Sequence, residues 1–273
     1  MTRRKFIKLA LGGGAAFSVI GTGYSAIEAG WIDVTPITIP VSRLPRAFVG
    51  TRIVLLTDIH LGPFTSVAYV NAIVARALSL QPDLILLGGD FIHHGAEYIQ
   101  PVFAALSPLT APLGVFAVLG NHDHYHGATE CSEAMAVAGI RELTNTGVWL
   151  TKSGERLRVA GVGDLWEGVQ DLPAALGDCP AGETSLLLSH NPDFAESIRD
   201  RRVGLVFSGH THGGQVVFPL VGPPYIPSRY GSKYLRGLVA APNTQVFVSR
   251  GLGTITPPLR FCCRPEINVV TLT

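Results

Sequence analysis

Five apolar runs in this sequence end in the same kind of chemistry. Residues 52–57 are followed by Asp58-Ile59-His60, residues 83–87 by Gly88-Gly89-Asp90, and residues 115–119 by Gly120-Asn121-His122-Asp123. The run ending at Leu188 leads into Ser189-His190-Asn191, and the run ending at Phe207 into Ser208-Gly209-His210-Thr211-His212. Short continuous apolar runs bounded by glycine read as strands buried on both faces, the pattern of a parallel sheet covered by helices. Between the first two, Val67, Val70, Ile73, Val74, Ala77 and Leu78 keep helical spacing until Gln81-Pro82 stops it. Such βαβ units line up the carboxyl ends of their strands along one edge, where α/β proteins bind ligands. Strand-like runs at 215–218, 245–249 and 267–272 make the second half richer in strands.

All nine histidines, at 60, 93, 94, 122, 124, 126, 190, 210 and 212, lie at or beside these strand ends. Taken singly, each polar group has a bland reading: Asp58 as a helix cap, His60 as a hydrogen-bonded core residue. Asn191, ahead of Pro192-Asp193, reads better as a cap than as a ligand. Taken jointly, five strand ends bearing carboxylate, imidazole and amide point to a metal centre. The donors include no thiolate, a mixture that suits Mn, Fe, Zn or Co. Asp58, Asp90, His60, His190, His210, His212 and Asn121 exceed the needs of one ion and suit two that share a carboxylate. Paired ions about 3.5–4 Å apart polarise a phosphoryl group and deprotonate a water.

In order, D-x-H, G-G-D, G-N-H-D, a lone H and G-H-T-H resemble the motifs of the calcineurin-like metallophosphoesterases, across residues 53–212. Gly213-Gly214-Gln215, the stretch 248–254 (VSRGLGT) and Arg264-Pro265-Glu266-Ile267 are similar to the bacterial YkuE/YaeI-type phosphodiesterase branch. The resemblance implies an α/β fold in four layers, two central mixed sheets flanked by helices, in one catalytic domain spanning 49–273. It also implies two divalent ions, Mn, Fe or Zn. Asp58, His60 and His212 would hold one, Asn121, His190 and His210 the other, with Asp90 bridging. The implied reaction is hydrolysis of a P–O bond by a hydroxide between the ions, with His122 as general acid. Related sequences carry an acid three residues beyond the bridging Asp. Here that position is His93, read as a surface-loop residue, and Asp123 is the substitute considered for orienting His122. His124 and His126 read as rim residues.

The tract 225–236 (YIPSRYGSKYLR) supplies Arg229, Tyr230 and Lys233 as candidates for gripping a small-molecule or lipid-linked phosphoester. A plain crossover loop is the competing reading. Residues 1–29 read as a targeting segment, with Arg3-Arg4-Lys5 ahead of a stretch, 9–27, that has no charged residue. It resembles a twin-arginine signal, which makes the export machinery a partner and implies a place in the periplasm or on the outer face of the inner membrane. The apolar stretch is about long enough to anchor the protein there if retained. Residues 30–48, with Pro36, Pro40 and Pro45, read as a linker. A net charge of +1 leaves no electrostatic footprint for nucleic acid. Four cysteines without C-x-x-C spacing make a zinc finger a poor fit. An oxidising compartment would permit a Cys131–Cys179 bridge, and plain packing explains both residues equally well. Three functions stay open: an exported phosphodiesterase or phosphomonoesterase, a lipid-pathway hydrolase resembling UDP-2,3-diacylglucosamine pyrophosphatase, and a non-catalytic metal-bound envelope protein.

Overall fold

The computed structural model describes residues 23–273. Two six-stranded sheets face each other. The first runs β1 (Asp33–Ile39), β12 (Glu266–Leu272), β2 (Arg52–Leu56), β3 (Leu84–Leu87), β4 (Val115–Ala117), β5 (Arg141–Glu142). The second runs β10 (Gly237–Ala240), β11 (Gln245–Val248), β9 (Val203–Ser208), β8 (Ser185–Leu188), β7 (Glu155–Gly161), β6 (Thr146–Lys152). Both are mixed: β12 is antiparallel to β2, β10 to β11 and β6 to β7, while β2-β3-β4-β5 and β7-β8-β9-β11 pair in parallel.

The unbroken apolar runs are explained by burial on both faces. In β2, Ile53 and Leu55 point between the sheets, where they join Leu86, Leu188, Leu205 and Phe207. Val54 and Leu56 point outward, onto α1 (Val67–Ser79), α2 (Ile99–Leu106) and α3 (Asn121–Val137). Each such side chain contributes roughly 1.5–3 kcal/mol by leaving water. Ser66 caps α1 by accepting the Tyr69 N–H at 3.2 Å, and Gln81, at a φ of 51°, turns the chain out of it. Over the second sheet the outer layer is thinner. It consists of α4 (Leu172–Leu176), the 3-10 segment Pro192–Glu196, and the side chains of Ile198 and Tyr234.

Two sequence expectations need correction, and one alternative left open is decided. The stretch read as a linker contains β1, paired in parallel with β12 from Asp33–Glu266 to Ile39–Leu272. Pro36 is tolerated because β1 is an edge strand with one unpaired side. The run at 215–218 makes no sheet strand, only isolated bridges from Val216 to Phe261 and Phe218 to Gly222, since Pro219 and Gly222 fold it back on itself. The Cys131–Cys179 pairing is absent; both are buried free thiols, Cys131 within the helix-side core.

Only the end of the segment read as a targeting signal is described. Residues 1–22 lie outside the described residues, and with them the paired arginines. Residues 23–28 are helical and dock on the domain. The buried Glu28 carboxylate accepts the backbone N–H groups of Cys262 at 3.1 Å and Cys263 at 2.7 Å, while the Arg260 N–H donates to Ser25 O at 3.1 Å. Among the described residues no helix is long and apolar enough to cross a membrane. Glu28→Ala strands two backbone donors and is expected to cost about 1–3 kcal/mol. Urea unfolding should show a lower midpoint at an unchanged slope; an unaltered midpoint would contradict the docking.

Candidate metal centre

The side chains at the strand ends converge because the backbone there leaves the β region abruptly. Asp58, His60, Asp90, His210 and His212 all have left-handed backbones, with φ of 52°, 49°, 55°, 69° and 52°. Non-glycine residues adopt this region at a cost and cluster there at functional sites. Backbone bonds lock the turns together: Asp58 N–H donates to Gly89 O at 2.9 Å, His60 N–H to Asp90 O at 3.0 Å, and Gly253 N–H to Asp58 O at 2.6 Å. Two glycines are demanded by close approach. A Cβ at Gly120 would collide with Asp90 Oδ1, and one at Gly209 with Asp58 Oδ2.

Three groups of donor atoms result: two share Asp90, and the third, His60 with His93 and His122, is less fully buried. Asp58, His60, Asp90 and His212 each bring one atom within 4.8 Å of the others, and so do Asp90, His190 and His210; all are buried. Asp90 belongs to both groups, its Oδ2 lying 3.4 Å from His60 Nε2 and 3.2 Å from His190 Nε2. The first group could hold one cation and the second another. Asn121 opens α3 beside the second group, its buried Oδ1 without a donor, and Asp58 Oδ2 is likewise unpartnered. His60 Nε2 and His212 Nε2 face each other at 3.1 Å, and His190 Nε2 faces His210 Nδ1 at 3.2 Å. Buried ring nitrogens that face only one another, beside the unpartnered oxygens of Asp58 and Asn121, fit divalent cations between them. His190 is oriented for such a role, since its Nδ1–H donates to Gly88 O at 2.7 Å and leaves Nε2 facing inward.

Electrostatics agree. Burial holds His60 and His212 well below the ordinary imidazole range and brings His210, with help from His190, down to about 3. These rings therefore offer lone pairs. Burial pushes Asp58 up to about 6. Burial also opposes ionisation of Asp90, but His190 and His60 outweigh it and hold the carboxyl well below its usual value. His190 moves up through the same pairing with Asp90, against the pull of burial. A cation binding there displaces the shared proton.

His122 lies beside the two groups that share Asp90. Its backbone N–H donates to Asp90 Oδ1 at 2.9 Å, while its Nδ1 lies 3.1 Å from His93 Nδ1. His93 is thus buried and paired, contrary to the surface-loop reading, because residues 90–93 turn inward beneath the Leu61–Ile92 bridge. Burial, with His122 and His94, pushes His93 down to about 4. Burial likewise lowers His122. Asp123 does not orient His122. Its carboxylate accepts the backbone N–H groups of Asp90, Phe91 and Gly120 at 2.9, 2.8 and 2.9 Å, fastening the loop after β3 to the loop after β4. Asn191 is the cap expected of it, accepting the Asp193 N–H at 3.0 Å. His124 and His126 are half-buried and lie outside the pocket over the centre.

That pocket has a volume of about 200 Å³, walled by Asp90, Asn121, His122, His210 and His212 with Tyr125, Trp166, Tyr225, Pro227 and Ile255. The sequence reading missed Trp166, whose ring meets His210 edge-on at 4.3 Å. Asp164 holds it there by accepting the N–H groups of Trp166 and Glu167 at 2.8 and 3.0 Å. The signal was present, since Gly163-Asp164 follows an apolar strand just as Gly89-Asp90 does. Arg229, Tyr230 and Lys233 are not brought to this pocket. Ser228 and Arg229 are pinned to Asp193, Arg229 and Tyr230 line a separate hollow, and Lys233 pairs with Glu196. Tyr225 and Pro227 of the same tract take their place.

A family model for calcineurin-like phosphoesterases matches residues 51–214. The uncharacterized metallophosphoesterase YkuE of Bacillus subtilis (strain 168) is 35% identical over 280 residues, covering 100% of this chain and 98% of that protein. Phosphodiesterase YaeI of Escherichia coli (strain K12) is 33% identical, covering 100% of this chain and 99% of its own. An uncharacterized metallophosphoesterase of Aquifex aeolicus (strain VF5) is 32% identical over 93% of this chain and 97% of that one. With its paired donor clusters on the sheet edge, the chain belongs to the calcineurin-like phosphoesterases, metal-dependent hydrolases of phosphoesters.

Proposed function

We propose that this protein is a phosphodiesterase in which Asp58, His60 and His212 hold one divalent ion, Asn121, His190 and His210 a second, and Asp90 both. The observation that carries the reading is the position of Asp90 Oδ2, shared between two clusters of buried acceptors. When bound, such ions supply Lewis acidity to the phosphoryl oxygens and a water deprotonated near neutral pH. The remaining work falls to the chain. His122 is the general acid: with Nδ1 engaged by His93, Nε2 is the nitrogen free to protonate the departing oxygen. His93 is a positioning residue that fixes the ring's rotation. Trp166, Tyr225 and Ile255 narrow the pocket and exclude bulk water from the reacting group. Placement beyond the inner membrane is proposed on Arg3-Arg4 and the uncharged stretch after it, and the name of the Escherichia coli relative supports a diester substrate.

Manganese-loaded protein is expected to hydrolyse bis-p-nitrophenyl phosphate. Asp90→Asn should lose both ions together in elemental analysis, along with turnover; stepwise loss would contradict sharing. His122→Ala should keep both ions yet lose about 10²–10⁴-fold in kcat on alkyl esters, and far less on p-nitrophenyl esters, whose leaving group needs little protonation. Equal losses on the two would remove the general-acid assignment. His93→Ala should lower kcat about 10–100-fold with metal content intact; an unchanged kcat would leave His122 to orient itself.

A further inference from the structure

A second cavity adjoins the metal pocket and differs from it in chemistry. Its volume is about 360 Å³, and His212, Tyr225, Pro227 and Ile255 wall both. Beyond that shared wall the lining is Val216, Phe218, Pro224, Pro257 and Leu259, with no Asp, Glu, Lys or Arg. Its polar members are largely occupied elsewhere. Gln215 gives its amide N–H groups to Ile255 O and Pro257 O at 3.1 and 2.7 Å and accepts the Ile255 N–H at 2.9 Å. The Thr211 hydroxyl donates to Leu235 O at 3.0 Å. A ligand entering here therefore meets hydrocarbon and aromatic surface, in a volume within the range of small-molecule sites.

The rim continues the same surface outward. Phe218 O accepts the N–H groups of Val221 and Gly222 at 3.2 and 2.8 Å, folding residues 218–222 into a turn. Leu220, at a φ of 67°, is fully exposed, and Val221 is 83% exposed. A left-handed leucine held into water two residues beyond Phe218 of the cavity wall is costly, and contiguous exposed apolar surface marks an interaction site. Phe218 lies 6.0 Å from Phe261, which lies 6.1 Å from Tyr24, so aromatic rings extend the apolar face past the groove.

We propose that this groove is the subsite for the hydrocarbon portion of an amphiphilic phosphoester, drawn from a lipid surface that the turn at 218–222 meets. The proposal rests on the phosphoesterase reading above. It requires that the phosphoryl group sit over the metal centre while the chain runs past Tyr225 and Ile255 toward Leu259. A polar or nucleotide-like group would find no charged partner there, whereas each buried methylene gains affinity.

The test uses the full chain loaded with manganese and a series of p-nitrophenyl alkyl phosphates from methyl to dodecyl. kcat/KM should rise about threefold per methylene until the groove is filled, then level off. Leu259→Gln and Phe218→Ser should each flatten that rise. Affinity for alkylphosphonates from butyl to decyl, measured by calorimetry, should climb in parallel and fall in the same variants. Turnover that ignores chain length, with flat phosphonate affinity, overturns the groove assignment and leaves the hydrolase reading intact. Absence of turnover on every ester overturns the hydrolase reading, while rising phosphonate affinity would still support the groove. With the dodecyl ester presented in phosphatidylglycerol vesicles, Leu220→Ser/Val221→Ser should turn over at least fivefold more slowly than wild type. Equal rates in vesicles overturn the role of the turn.

Discussion

The structure depends on assembling a set of electron-rich atoms in a place without water. Asp58 and Asp90 are buried carboxylates, surrounded by the buried imidazoles of His60, His190, His210 and His212. Left alone, such a cluster is costly, because desolvated charges need partners and several of these atoms have none. Cations of charge two reverse the sign of that cost. The surrounding architecture can then be read as what is required to hold the atoms still until cations arrive. Asp58, His60 and Asp90, with Asn121, come from the first sheet; His190, His210 and His212 come from the second. The centre therefore spans the seam of the sandwich. The core between the sheets, with Ile53, Leu55, Leu86, Leu188 and Phe207, sets the spacing of the donors as well as the stability of the domain.

That dependence explains why so little of the loop geometry is left to chance. Asp123 looks catalytic by its position in a motif, yet its carboxylate is consumed by backbone N–H groups of two loops. Arg260, fully buried, gives its guanidinium to the carbonyls of Gly253, Cys263 and Arg250 and so shapes the segment that closes over Asp58. Neither residue faces the pocket. Their work is to make five left-handed turns affordable, since strain at Asp58, His60, Asp90, His210 and His212 persists only where neighbours over-determine the backbone.

The convergence of Asp58, His60, Asp90, His190, His210 and His212 was legible in the sequence because its signal is periodic and local: an apolar strand, then a polar group. The α1 helix was legible from its spacing, and Asn191 as a cap from the proline after it. What stayed hidden was decided by distant partners. β1 carries a proline, Pro36, that argues against a strand, and only the neighbouring β12 reveals it as an edge. His93 sits in a loop by every local criterion; its burial comes from the return of the chain to Leu61 and from His122, neither predictable from its neighbours. The basic residues at 229–233 attract attention by charge, but Asp193 and Glu196 satisfy that stretch locally and turn it aside. Trp166 was missed because aromatic residues carry no motif, although the Gly163-Asp164 pair ahead of it repeats the strand-end pattern.

A common logic joins the hydrolytic centre to the apolar face beside it. His212 belongs to the first donor group, its Nε2 3.5 Å from Asp58 Oδ1, and also lines the groove. Gln215, three residues on, is the side chain best able to offer a polar contact in the groove, and it spends its amide bracing the 255–257 rim. The chain thus passes from metal-binding to hydrocarbon surface within the stretch from His210 to Phe218. No charged residue intervenes in that stretch. A substrate lying across this boundary would be oriented by two unlike forces: charge attraction at the phosphoryl group, which is steep and directional, and burial of hydrocarbon, which is neither. The first would fix where the bond is cut. The second would decide which molecules dwell long enough to be cut, because interactions remote from the reacting atoms set selectivity among esters that share the same phosphoryl chemistry.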